Sequence, residues 1–289
     1  MADVPIERLA SGHLAVAVEV RGAGPLRFLL DTGASVSVVT PATRARLGAA
    51  ARAGPRAHAK TAAGSAGRVE LVDLPPVRLG GHATEGLVAA VMPLDHLAEP
   101  LGEEPAGVLG QNFFASYVVE FDLGAAHLRL YDPARAPAWD GAVPLAPLRG
   151  TGLFAVEARL EPGDVSLSAV IDLGAGRSVV NLAVARAAGL DVQALREAEA
   201  IRGASRGDVS AKTHRFARLS VGGITVEGPR LLVADLPVFQ PLGLARRPAM
   251  ILGFDQLDGR VVGLDVGRRR LFLGPAPAGE GTGAANAAE

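Results

Sequence analysis

Asp31 and Asp172 are the residues whose type and setting promise chemistry. Each opens a tight, glycine-bearing turn at the end of an apolar run: Phe28-Leu29-Leu30 before Asp31-Thr32-Gly33-Ala34-Ser35, and Ala169-Val170-Ile171 before Asp172-Leu173-Gly174-Ala175-Gly176. The two are 172 − 31 = 141 positions apart, close to half of the 289 residues. A pair of carboxylates brought face to face can share one proton, so that the ionised partner takes a proton from water while the neutral one gives a proton to a carbonyl oxygen. Like charges a few ångströms apart do not both ionise cheaply, and the apparent pKa values of the pair split. Glycine two positions after each aspartate allows the sharp turn and close approach that such a pairing needs.

The elements that would position these aspartates repeat along the chain. Residues 31–40 lie over 172–181 without a gap. Gly48 matches Gly189 at a separation of 141, Ser65 and Gly67 match Ser205 and Gly207 at 140, and Gly80-Gly81 matches Gly222-Gly223 at 142. Val108-Leu109-Gly110 matches Ile251-Leu252-Gly253 at 143, and Phe121-Asp122-Leu123-Gly124 matches Leu264-Asp265-Val266-Gly267 at 143. With Pro93 matching Pro237 at 144, the offsets drift only between 140 and 144 and describe a collinear duplication with small insertions.

Within each half the alternation is that of strands, with Leu14–Val20 and Phe154–Leu160 opening the two copies. Helical pattern is confined to short pieces at 41–47, where Thr40 can cap and Pro41 can take the first helical position, and at 182–188. A hairpin is predicted from 117–121 to 128–131 around Gly124. The proline-bearing stretch 132–150 reads as the connection between halves. The predicted organisation is an all-β, bilobal fold with a pseudo-two-fold axis: one lobe over 1–140, a second over 141–274, and a disordered Gly/Ala/Pro tail over 275–289.

Composition narrows the function classes. The chain has 49% hydrophobic residues, a net charge of −1 and a pI near 6.6, which argues for a globule and against nucleic-acid or membrane-surface partners. Zero cysteines exclude disulfides and thiol nucleophiles. The six histidines are scattered without metal-ligand spacing, so neither metal nor other cofactor is expected. No secretory pattern stands at the N-terminus and no run has transmembrane length. A cytoplasmic setting is expected for the sequence as it stands, and a periplasmic one if a leader has been removed.

In these motifs the chain resembles the two-lobed, retropepsin-like aspartic peptidases of bacteria over roughly residues 10–273. The Asp31-Thr32-Gly33-Ala34 motif matches that family fully, whereas the second motif departs at Leu173. The resemblance implies a cofactor-free, monomeric endopeptidase with Asp31 and Asp172 as its dyad, supported by Thr32, Gly33 and Gly174, and acting on peptide or protein in extended conformation. It also implies that the Thr32 hydroxyl bonds across the two-fold axis, that Ser35 meets substrate backbone, and that Gly64, Ser65, Gly203 and Ser205 belong to flaps over the cleft. Leu173 has no hydroxyl with which to return the Thr32 bond. Ala34 and Ala175 lack the hydroxyl that pepsin-type enzymes place against the dyad, which predicts work at mildly acidic to neutral pH. Arg177 is expected on the surface or reaching the cleft.

Two other readings stay open at this stage. One is a catalytically weak or inactive peptide-binding module on the same fold, suggested by Leu173. The other is a nucleotide or S-adenosylmethionine binder using the Asp172 glycine loop, although Val179 stands where the dinucleotide fingerprint has its third glycine.

Overall fold

The structure is a computed structural model that describes residues 1–21, 23–61, 64–98, 102, 104–198, 200–202 and 208–274. The predicted tail lies outside the described residues. The chain is mostly β, with two large curled sheets of matching topology and a third sheet shared between them.

In the first lobe the strand order is Arg52–Thr61, Gly64–Asp73, Val88–Val91, Ser37–Val39, Gly107–Leu109, Ala23–Leu30, Leu14–Val20, Val77–Leu79, His82–Thr84. In the second it is Arg196–Glu197, Lys212–Arg215, Arg230–Val233, Val179–Val180, Ala249–Leu252, Val165–Ile171, Leu153–Glu161, Arg218–Val221, Ile224–Glu227. Each strand of one list has its duplicate at the same place in the other. The duplication inferred from spacing is therefore a duplication of topology.

The segment just before each aspartate is buried on both faces, which is why it reads as a continuous apolar run rather than an alternation. Phe28, Leu29 and Leu30 are all buried, as are Ala169, Val170 and Ile171. Each run is held by a parallel neighbour, with Val108 opposite Leu29 in one lobe and Ile251 opposite Val170 in the other. The same neighbour strands pair antiparallel with Ser37–Val39 and Val179–Val180, the strands that leave the turns. A turn is thus pinned on both sides by one strand threaded between its arms.

Short helices follow, as the capping chemistry predicts. Thr40 accepts from the Thr43 N–H over Pro41–Leu47, and Asn181 accepts from the Val184 N–H over Leu182–Ala187. The proline-bearing connection carries two short strands: Val143–Pro144 pairs with Arg270–Leu273, and Ala146–Leu148 pairs with Leu153–Glu161. Each is a short addition at a sheet edge, where a proline's missing N–H is tolerated.

The lobes are joined by a six-stranded sheet in the order Ala2–Pro5, His127–Tyr131, Val118–Asp122, Val261–Asp265, Arg270–Leu273, Val143–Pro144. At its centre Glu120 pairs with Gly263. These residues are duplicates of each other, 263 − 120 = 143, so the pseudo-two-fold axis passes between them. The largest apolar core, carrying Phe28, Phe114, Phe121 and Phe216, runs through both lobes.

Trp139 closes the axis on one side. Its ring covers Gly263, where a Cβ would come within 2.8 Å of the indole. It stacks on Phe272 at 5.8 Å between centroids and donates Nε1–H to Glu120 at 3.2 Å. This clip ties the connection to the shared sheet. Trp139→Ala is expected to cost about 2 kcal/mol or more of unfolding free energy, because it empties a half-buried aromatic site and removes the bond to Glu120 Oε2, Arg129 keeping Oε1. A drop in the denaturation midpoint measured by tryptophan-independent circular dichroism checks this; an unchanged midpoint would show that the clip adds no stability.

Candidate active site

Asp31 and Asp172 are delivered by identical local devices. The Asp31 N–H donates to Leu109 O at 3.1 Å and the Asp172 N–H to Leu252 O at 2.9 Å, which extends each parallel pairing up to the aspartate. The side chain then folds back on its own turn. Asp31 Oδ1 accepts from the N–H groups of Gly33 and Ala34, both at 2.8 Å. Asp172 Oδ1 accepts from Gly174 and Ala175 at 2.9 and 3.1 Å. One oxygen of each carboxyl is thereby committed to the turn, and the other is left for its opposite number.

The two carboxyls meet across the axis, close enough for each to act on the other's titration. Their approach depends on two glycines for space rather than for conformation. A Cβ on Gly33 would stand 2.5 Å from Asp172 Cγ, and a Cβ on Gly174 would stand 2.6 Å from Asp31 Cγ. Each carboxyl lies over the glycine of the opposite motif. This contact also accounts for the glycine loop at Asp172 without a nucleotide, and the helix after it is only the six residues Leu182–Ala187.

Thr32 is a buried polar link between the loops. Its hydroxyl donates to Ile171 O at 2.8 Å and accepts the Leu173 N–H at 3.0 Å. Leu173 is fully buried in the core shared by the lobes, filling with apolar contact the place its duplicate fills with a hydroxyl.

Burial is the main cause that raises the carboxyl pKa of both aspartates, against the turn N–H groups that favour charge. Asp172 is pushed well above the usual carboxylate range, by burial first and then by the charge of Asp31 beside it. The pair therefore retains one proton over a wider pH range than two separate aspartates would.

Behind each turn lies a second layer that was not recognised in the sequence. Ser37 Oγ accepts from the Gly110 N–H at 3.0 Å and donates to Asn112 Oδ1 at 2.8 Å. Its duplicate Ser178 accepts from the Gly253 N–H at 2.9 Å and donates to Asp255 at 2.6 Å. The available signal was that the same serine precedes Val-Val in both motifs, at Ser37 and Ser178. Asp255 is balanced by Arg177, with Nε 3.6 Å from Oδ2. Arg177 is exposed and engaged within its own lobe, which selects the surface alternative.

The remaining expected positions divide. Ser35 and Gly176 are partly exposed beside the dyad. Ser35 faces the Gly152 turn, and Gly176 faces the carbonyl of Ser11. Gly64 and Ser65 pair with Thr61 and Lys60 at the end of the long hairpin from Arg52 to Asp73, where a flap would be. Gly203 and Ser205 lie outside the described residues. Among the described residues, no group of three or more histidine, aspartate or glutamate side chains is gathered as a metal site. An open concavity of about 220 Å³ lies elsewhere, on the edge of the second lobe.

A family model described as aspartyl protease matches the chain twice, over residues 16–113 and 156–256, once in each lobe. No curated protein matches the chain.

Two outcomes follow from this geometry. Thr32→Val keeps the shape but leaves the Ile171 carbonyl and the Leu173 N–H buried without their partner, and is expected to cost about 2–4 kcal/mol by chemical denaturation. Thr32→Ser should restore most of that, and a Val variant as stable as wild type would show the bridge to be idle. The second concerns pH. A carboxyl whose folded pKa is raised contributes stability that is complete below its unfolded pKa and is lost as pH rises through the folded value. Asp172→Asn, which cannot ionise, should therefore melt above wild type at neutral pH, with the gap closing below about pH 4. A variant melting below wild type at neutral pH would contradict a raised carboxyl.

Proposed function

The chain belongs to the retropepsin-like aspartyl protease family, and from that premise we propose that it is an endopeptidase whose dyad is Asp31 and Asp172. The observation that carries this reading is the mutual contact of the two carboxyls, each over the glycine of the opposite motif. One shared proton on such a pair is the protonation state in which aspartic proteases work.

In the proposed reaction a water held between the carboxyls attacks the carbonyl carbon of the scissile peptide bond. The ionised aspartate takes the water proton while the neutral one protonates the carbonyl oxygen. The tetrahedral diol then collapses: the C–N bond breaks as Asp31 passes its proton to the leaving nitrogen, a diol hydroxyl returns its proton to Asp172 as the carbonyl re-forms, and the dyad regains its starting state. The shorter turn bonds to Asp31 favour charge there, so Asp31 is assigned as the base and Asp172 as the acid. Thr32, Gly33 and Gly174 hold the geometry. Ser35, Gly64, Ser65, Gly203 and Ser205 are assigned to the substrate side, with an extended peptide as the partner and the single chain as the working unit.

Leu173 supports a second reading, a peptide-binding module with weak or no catalysis. Only one of the two cross-axis hydroxyl bridges is available to hold the loops, because leucine stands in the second. The first reading is favoured because burying two facing carboxyls is costly unless they have a use.

The deciding experiment is digestion of a random peptide library across pH 3 to 8 by wild type, Asp31→Asn and Asp172→Asn, with and without pepstatin. Cleavage is expected at mildly acidic to neutral pH, falling on the alkaline side as the shared proton is lost, and at least about 10³-fold lower in either variant. Folded wild type that binds peptides without cutting them would favour the binding module. Cleavage that survives Asp172→Asn would remove the second aspartate from the mechanism, and an optimum well below pH 3 would contradict the raised dyad.

A further inference from the structure

The outer edge of the second lobe's sheet carries a concentration of cations for which the dyad has no use. Strand Arg196–Glu197 pairs with Lys212–Arg215, which pairs with Arg230–Val233. The registers place Arg196 opposite Thr213 and Arg215 opposite Arg230. Residues 213 and 215 share one face of their strand, so the three arginines gather on that face around Thr213. They line the 220 Å³ concavity together with Leu195.

Charge is balanced elsewhere on these strands and not here. Glu197, on the other face, pairs with Lys212 at 2.8 Å. Among the described residues no carboxylate pairs with Arg196, Arg215 or Arg230. Like charges directly opposite each other on adjacent strands are destabilising. Arg215 is nonetheless held in place: its Nε–H donates to Gly228 O at 3.1 Å, and its guanidinium lies so close to Gly228 that a Cβ there would stand 2.8 Å from Nη2. That bond uses one of five N–H donors and leaves four.

The first lobe serves as an internal comparison. The pair equivalent to Arg215 and Arg230 is Asp73 and Val88, with 215 − 73 = 142 and 230 − 88 = 142. There Asp73 faces Arg52 at 3.9 Å, an ordinary exposed ion pair. In the second lobe an arginine stands in place of that carboxylate and another in place of the valine. We propose that this arginine-lined concavity binds a tetrahedral oxyanion, a phosphoryl group, at the edge of the second lobe. Guanidinium groups match such an anion through paired N–H bonds, and the anion supplies the negative charge that the sheet lacks. The site is independent of the dyad and of the proposed peptidase activity.

Isothermal titration of inorganic phosphate into the full chain at pH 7.5, with ionic strength held by chloride, tests the assignment. One saturable site per chain is expected, with Kd below about 1 mM. Arg230→Gln and Arg196→Gln, both exposed, should each weaken it by about tenfold or more, and Arg215→Asp, which restores the first lobe's carboxylate, should abolish it. A phosphoserine peptide and its unphosphorylated form, titrated into Asp31→Asn protein, distinguish the source. Tighter binding of the phosphopeptide than of free phosphate identifies a polypeptide-borne group, and equal binding a free anion. No saturable phosphate binding over chloride, or affinity unchanged in both glutamine variants, would overturn the proposal.

Discussion

Two carboxyl groups pressed together in a protein interior repel each other and lose their water, so the fold must supply both the force that brings them together and the reason they stay. The force is the continuous core through the lobes and the six-stranded sheet between them. The reason is local: each carboxyl gives one oxygen to its own turn and lies against the opposite glycine, so its position is set from both sides of the axis. Retention of one proton by the pair turns repulsion into a hydrogen bond. The parallel pairing of Val108 with Leu29 and of Ile251 with Val170 serves this contact, because it leaves neither turn free to withdraw.

The cross-axis bridge shows how far symmetry is required. Two threonines would give two reciprocal bridges; this chain has one. Thr32 satisfies both a carbonyl and an N–H of the opposite loop, while Leu173 contributes only apolar burial. Loss of a hydroxyl at 173 weakens the coupling without creating an unpartnered side-chain group, since leucine brings none. The position of the aspartates depends on the paired strands and glycines first, and on the hydroxyl bridge second.

Much of this was legible in the chain because duplication writes each constraint twice. The aspartates, their glycines, the parallel partner strands and the capped helices all appear as matched residues at nearly constant offset. What was not legible involves contacts that spacing does not encode. The bonds from Ser37 to Asn112 and from Ser178 to Asp255 join positions 75 and 77 apart whose polar character has no periodic signature. Trp139 lies in the connection, which has no duplicate to compare with. The edge strand Val143–Pro144 reads as connection because its proline suits a loop and a sheet edge equally.

A duplicated chain carries its own reference, and differences between its halves are more informative than either half alone. Where a buried position differs, as Thr32 does from Leu173, the change must keep every buried polar group satisfied, and it does so by removing a hydroxyl rather than stranding one. Where an exposed position differs, no packing constraint forces the new residue. Replacing a paired carboxylate with an arginine opposite a second arginine lowers stability by its own account, since it deletes an ion pair and adds a repulsion. A bound anion would offset that cost, which is the physical ground for assigning a ligand to that edge and none to its counterpart.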